Sequence, residues 1–208
     1  MKNLSINDFT RKTASGEPTP GGGSISALAG ALSAALIAMV GGLSVGKEKY
    51  AEHEAEMKSA SERMTALSER LLDEIEKDSR SFDLYMQALA LPKDTEEEKA
   101  ARRSAMQEGL KAAVEVPLGV CISVMEVFPL AELMLRHGNP TAVTDALVGT
   151  MMARTAVLGA AANVKINLRS IRDEAYVSDT YRKVCELEKE ALYREERLRA
   201  MASTALDP

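Results

Sequence analysis

Residues 24–45 contain no charged side chain, and small residues fall four apart within them, at Gly30, Ala34, Ala38 and Gly42. Period-two alternation is absent, so the run reads as a helix. Its small residues share one face, where a neighbouring backbone can approach closely. A helix without a polar face suits two surroundings. Its length would span a bilayer. The centre of a helical bundle, apolar on every side, produces the same pattern. The other predicted helices are charged and amphipathic, so a bundle centre is expected and a membrane is not.

The chain approaches this helix through Pro18-Thr19-Pro20-Gly21-Gly22-Gly23-Ser24. The prolines stiffen the approach, and the glycines remove side chains where the helix begins. Ser24 is placed as its N-cap. A helix start with bare N–H groups carries partial positive charge and suits an anion or a developing negative charge. A nucleotide phosphate loop is the rival reading. It fails on pattern, because no strand precedes the glycines and the Walker lysine is missing.

The remaining chain is helical throughout. A short first helix starts near Ser5, with Ser5 and Asp8 as a capping box and Leu4 and Phe9 as a hydrophobic staple. A long helix over about 48–91 stops before Pro92. Its stripe is Tyr50, His53, Met57, Ala60, Met64, Leu67, Leu71, Ile75, Asp78, Phe82, Tyr85 and Leu89. Asp78 stands where an apolar residue is expected. A carboxylate on a packed seam is costly unless bonded; such a group either ties helices together or does chemistry. The next helix opens with a capping box at Thr95 and Glu98, and Pro117 and Pro129 predict kinks or breaks before His137-Gly138. Asn139-Pro140 opens another helix. Its stripe of Ala142, Ala146, Gly149, Ala153, Ala156 and Ala160 runs on into Asn163 and Asn167. Asp145 lies in its first turn, where an acid is favoured. The last helix, about 172–202, is strongly charged and belongs on the outside of the bundle or against a partner. No linker or tandem repeat divides the chain. The expectation is a single all-α domain over 1–208, an antiparallel helical bundle with kinked long helices.

Apolar residues make up 46% of the chain and charged residues 27%, as in soluble globular proteins. The net charge of −5 argues against nucleic acid as a partner. Cys121 and Cys185 are far apart, no disulfide is expected, and the first residues do not read as a signal peptide, so the cytoplasm is the expected compartment. His53 and His137 are isolated, which leaves no metal-ligand spacing.

The chain resembles the cyclodeaminase/cyclohydrolase family of folate enzymes. The resemblance rests on Pro20-Gly21-Gly22-Gly23-Ser24, Gly46-Lys47, Asp78 with Phe82, Leu91-Pro92-Lys93-Asp94-Thr95 and Gln107-Glu108-Gly109-Leu110. It continues through Val116-Pro117-Leu118, Gly138-Asn139, Asp145, and Asn163 to Asn167-Leu168. Each is weak alone; the set in this order covers nearly the whole chain. The resemblance implies an all-helical homodimer, a tetrahydrofolate derivative as substrate, its tail possibly polyglutamylated, and no permanently bound cofactor or metal. The implied reactions are closure of 5-formiminotetrahydrofolate to 5,10-methenyltetrahydrofolate with release of ammonia, or hydrolysis of the methenyl bridge to 10-formyltetrahydrofolate.

Either reaction needs proton transfer around one carbon held between nitrogens, which a carboxyl in a partly apolar site can perform. Asp78 leads as the catalytic group, on its placement and on the resemblance. Lys93, in the turn after its helix, is the second, either stabilising negative charge or binding a glutamate carboxylate; Asp145 is a weaker acid–base candidate. Gly21, Gly22, Gly23 and Ser24 would meet either the glutamate tail or the pterin. Asn163 and Asn167 suit the pterin's hydrogen-bonding edge, and Asn139 joins the binding set. The quoted motifs serve deaminase and hydrolase alike, and the deaminase is preferred slightly. A non-catalytic helical dimerisation module is the rival from another class. The polar residues on packed stripes count against it.

Overall fold

A computed structural model describes residues 1–206; residues 207–208 lie outside the described residues. The α-helices are α1 (Ile6–Thr13), α2 (Gly22–Gly42), α3 (Glu54–Leu89), α4 (Glu96–Val124), α5 (Val127–His137), α6 (Val143–Leu168) and α7 (Glu174–Leu206). Short 3-10 turns, Glu48–His53 and Pro140–Ala142, lead into α3 and α6. No strand occurs among the described residues, so the all-α expectation holds.

Hydrogen bonds between helices show the packing to be antiparallel. Ser61 and Ser68 of α3 donate to the carbonyls of Ala38 and Ala31 of α2. Ser33 of α2, fully buried, donates to the Gly149 carbonyl of α6 at 2.6 Å. Cys121 of α4 reaches the Val157 carbonyl of α6, and its burial pushes the thiol pKa up to about 12. α2 thus lies between α3 and α6, with α4 across the core. The core runs through Ile37, Met57, Met64, Leu67, Leu71, Ile75, Val114, Val124 and Phe128.

Small residues let α2 be approached this closely. A Cβ on Gly30 would stand 2.7 Å from Val124 Cγ2 and 3.2 Å from Leu71 Cδ1, where α2, α3 and α4 meet. By length and composition alone, Gly22–Gly42, Glu96–His137 and Pro140–Leu168 could each cross a bilayer. In the bundle, about half of each apolar stretch is covered.

Several boundaries differ from expectation. α2 starts two residues before Ser24, with Gly21 as N-cap and no side-chain cap bond. Residues 48–53 wind as a 3-10 turn, so α3 begins only at Glu54. The capping box at Thr95 forms as expected, while at Ser5 only half of it forms: the Ser5 hydroxyl oxygen accepts the Asp8 N–H, and the Asp8 carboxylate takes the Ser5 hydroxyl instead of the Ser5 N–H. Pro117 sits inside α4 without breaking it. The break falls instead at Met125–Glu126, and Pro129 lies in the first turn of α5, where its missing N–H needs no partner.

Gly30→Val is expected to destabilise the fold by about 3 kcal/mol, because branched carbons must displace buried Val124 and Leu71. Gly119→Ala, where nothing lies within 4 Å, should be neutral or stabilising by up to about 1 kcal/mol. Urea unfolding midpoints of the two variants check this contrast.

Candidate active site

The N-terminus of α2 opens into a cavity of about 520 Å³, a size usual for small-molecule sites. The glycine loop forms one wall. Asp78, Ser81, Phe82 and Tyr85 of α3 form another, and Asn163, Asn167 and Arg169 close it from α6 and its end.

Asp78 takes the role expected of Ser24. Its carboxylate accepts the Ser24 hydroxyl at 2.8 Å and the Ser24 backbone N–H. A charged acceptor from a neighbouring helix thus caps α2, and Ser24, the third helical residue, becomes a donor. Gly23 permits this contact: a Cβ there would lie 2.1 Å from Asp78 Oδ1. Among the described residues no cation pairs with Asp78. Burial pushes its carboxyl above the ordinary range, and the bonds from Ser24 only partly oppose that shift. The protonated form of this carboxyl is therefore favoured more than that of an exposed one.

Asn167 occupies a gap made by proline. Pro117 has no N–H to offer the carbonyl four residues back, that of Ala113. Asn167 Nδ2 donates to that carbonyl at 2.9 Å. Asn163 Nδ2 donates to Gly159 O at 2.8 Å and lies close against Gly22. Among the described residues neither amide oxygen accepts a hydrogen bond, so each is free to serve a ligand as acceptor.

The chain after α6 is held by Gln107, which donates to the Ser170 carbonyl and accepts the Arg172 N–H. This clamp sets the position of Arg169, the only cation among the described residues lining the cavity. Gly109 brings α4 against the Tyr85 backbone, with a Cβ position 3.1 Å from Tyr85 Cα.

Other expected site residues lie elsewhere. Lys93 is exposed in the turn between α3 and α4, about three helical turns beyond Asp78, and does not line the cavity. Asp145 is half-buried in the first turn of α6, about 30 Å along that helix from Asn163. Asn139 accepts the Thr141 N–H and lines a second cavity, of about 410 Å³, with Tyr50, His53 and His137. Asp145 and Asn163 stand at opposite ends of α6, so only one of them can reach the cavity at the start of α2. Arg169 was missed because it looked like any charged residue at a helix end. Among the described residues no three His, Cys, Asp or Glu side chains converge as metal ligands.

A helical bundle that holds a half-buried carboxyl, with no cation paired to it among the described residues, in a cavity of small-molecule size presents a candidate acid–base site. The sequence profile described as formiminotransferase-cyclodeaminase matches residues 5–186, and the chain belongs to that family. It is 40% identical over 196 residues to a methenyltetrahydrofolate cyclohydrolase of Methylorubrum extorquens, covering 94% of each chain. It is 39% identical to the formimidoyltransferase-cyclodeaminase of Gallus gallus, over 89% of this chain and 34% of that longer protein. Its fold is similar to the crystal structure of formiminotetrahydrofolate cyclodeaminase from Thermotoga maritima, with a TM-score of 0.89, 27% identity and 99% coverage of both chains.

The raised carboxyl of Asp78 has a testable effect on stability. Its contribution is complete below the ordinary Asp value of about 3.9 and is lost as pH rises through the higher native value. Asp78→Asn lacks that loss. From about pH 4 upward, the native chain should therefore lose stability relative to Asp78→Asn. Urea midpoints of both proteins across pH check this; a constant gap would show an unshifted carboxyl.

Proposed function

We propose that this chain acts on the one-carbon unit at N5 and N10 of tetrahydrofolate, first as a 5-formiminotetrahydrofolate cyclodeaminase. The observation carrying the reading is Asp78: a half-buried carboxyl, with no cation paired to it among the described residues, beside the bare start of α2. Burial favours its protonated form, and closure of the formimino group begins by consuming a proton.

N10 attacks the formimino carbon while Asp78 gives its proton to the imine nitrogen. The N10 proton then passes to the Asp78 carboxylate. Asp78 returns it to the amine nitrogen as that C–N bond breaks. The carbon is left shared between N5 and N10 as the methenyl cation, and ammonia departs. One proton from solvent restores Asp78. Proton transfer alone suffices, so the proposal requires no resident cofactor. The amide oxygens of Asn163 and Asn167 accept N–H groups of the pterin edge, and Arg169 draws a carboxylate of the glutamate end. The chain works as a homodimer through the exposed apolar face of α2 and α6, and in the cytoplasm.

A second reading has its own support: the Methylorubrum extorquens relative, matched over nearly its full length, is named a cyclohydrolase. There Asp78 would start as the carboxylate, taking a proton from water that attacks the methenyl carbon and giving it to N5 as the bridge opens. The hydroxyl proton leaves to solvent as the formyl group forms.

Purified protein offered 5-formiminotetrahydrofolate should produce methenyl absorbance. Loss of that absorbance from 5,10-methenyltetrahydrofolate, above the uncatalysed rate, would assign the hydrolase instead. Asp78→Asn should lower turnover by at least about 100-fold while the protein stays folded. Full turnover in that variant would remove Asp78 from the chemistry.

A further inference from the structure

We infer that Tyr85 is a specificity-determining residue: together with Arg169 it holds the carboxylate at the glutamate end of a folate, about two helical turns along α3 from Asp78, with Phe82 against the aminobenzoyl ring between them. The inference rests on the folate reading and adds to it the direction in which the substrate lies.

The cavity has two polar ends. One is the start of α2. A Cβ on Gly23 would stand 2.1 Å from Asp78 Oδ1, and one on Gly22 would stand 3.0 Å from Asn163 Nδ2. The other end lies against residues 107–109 of α4. A Cβ on Gly109 would stand 3.1 Å from Tyr85 Cα. Gln107 donates to the Ser170 carbonyl at 3.0 Å and accepts the Arg172 N–H at 2.8 Å. Arg169 immediately precedes Ser170, so one short stretch of α4 holds both Tyr85 and the segment bearing Arg169. Asp78 and Tyr85 are seven residues apart within α3, which separates their backbones by about 10 Å.

Asp78, Ser81, Phe82 and Tyr85 share one face of α3, and all four line the cavity. Their capacities differ. Ser81 is buried, and its hydroxyl already donates to the Asp78 carbonyl at 2.7 Å. Phe82 offers only its ring, and Leu110 of α4 and Ile166 of α6 keep the middle of the cavity apolar from two other sides. Tyr85 is half-buried, and its hydroxyl makes no hydrogen bond among the described residues. Arg169 is exposed and is in no ion pair among the described residues. A phenol donor and an unpaired guanidinium at one end suit a carboxylate.

A folate has the same order of parts. By ordinary bond lengths, its aminobenzoyl ring and amide set the glutamate α-carboxylate about 10 Å from N10. With N10 at Asp78, the ring falls at Phe82 and the carboxylate at Tyr85 and Arg169. The opposite direction would leave the carboxylates without a cation, because Arg169 is the only one among the described lining residues. The glycine loop then faces the pterin and not the tail.

The test uses whichever of the two folates native protein turns over. Tyr85→Phe, which removes only the hydroxyl, should raise KM about tenfold and change kcat by less than about twofold. The tetrahydropteroate form of the same substrate ends at the benzoate carboxylate, short of Tyr85. Native preference for the glutamate-bearing form should therefore shrink about tenfold in Tyr85→Phe. Arg169→Gln should act likewise, and the double variant should lose less than the product of the two, because both residues hold one carboxylate. An unshifted KM, an unchanged preference or a loss confined to kcat overturns the inference. If native protein turns over neither folate, the folate reaction fails, and saturation-transfer NMR with p-aminobenzoyl-glutamate decides the subsite on its own. Binding that Tyr85→Phe weakens supports the subsite; binding that it leaves untouched, or none to native protein, overturns it.

Discussion

The architecture depends on how closely other helices approach the backbone of α2. Gly30 meets α3 and α4 side chains, Gly41 lies against Met57 and Ser61, and Ser33 reaches a carbonyl of α6. Such contacts need a helix with little side chain, and a helix with little side chain has little apolar area of its own to bury. Stability then comes from neighbours that fold down onto it: Leu71, Ile75, Val124 and Phe128 are all fully buried around it. Hydroxyl groups replace the missing side-chain contacts, since Ser24, Ser26, Ser33, Ser61 and Ser68 each donate to an acceptor on or beside α2.

The same closeness makes the site. Asp78 stays on a packed helix because Ser24 at the start of α2 donates to it, and it can come that close because Gly23 has no Cβ. A carboxylate at a helix start is stabilised by the partial positive charge there, while burial acts the other way and dominates. Two opposed effects of one location leave the group titratable. A cation beside Asp78 would have fixed it as a permanent anion, useful as a structural tie and poor as a proton carrier.

Much of this was legible in the sequence, because helical spacing and caps are local. The interruption of the α3 stripe at Asp78 marked the acid, and the glycines before α2 marked the wall opposite it. The capping boxes at Ser5 and Thr95 placed two helix starts correctly. Ser24 misled because local capping rules cannot see an acceptor arriving from 54 residues away. Pro117 misled for a similar reason: whether a proline breaks a helix depends on what fills the gap it leaves, and Asn167 fills it from α6. Lys93, Asn139 and Asp145 were grouped with Asp78 by chemistry, yet the bundle spreads them over both of its ends.

Asn167 therefore has a structural and a chemical side that do not compete. Its amide nitrogen is committed to the Ala113 carbonyl, which fixes the side chain's rotation and aims the remaining oxygen. A free asparagine would have to be ordered by its ligand, at a loss in side-chain entropy on each binding event. Here the proline of α4 has already imposed that order. Gln107 does the same for the segment bearing Arg169, through one donated and one accepted bond. In both cases a side chain that satisfies a backbone group elsewhere becomes a pre-oriented part of the cavity. Polar residues that a purely structural account would assign to helix packing are thus the ones that set the shape of the site.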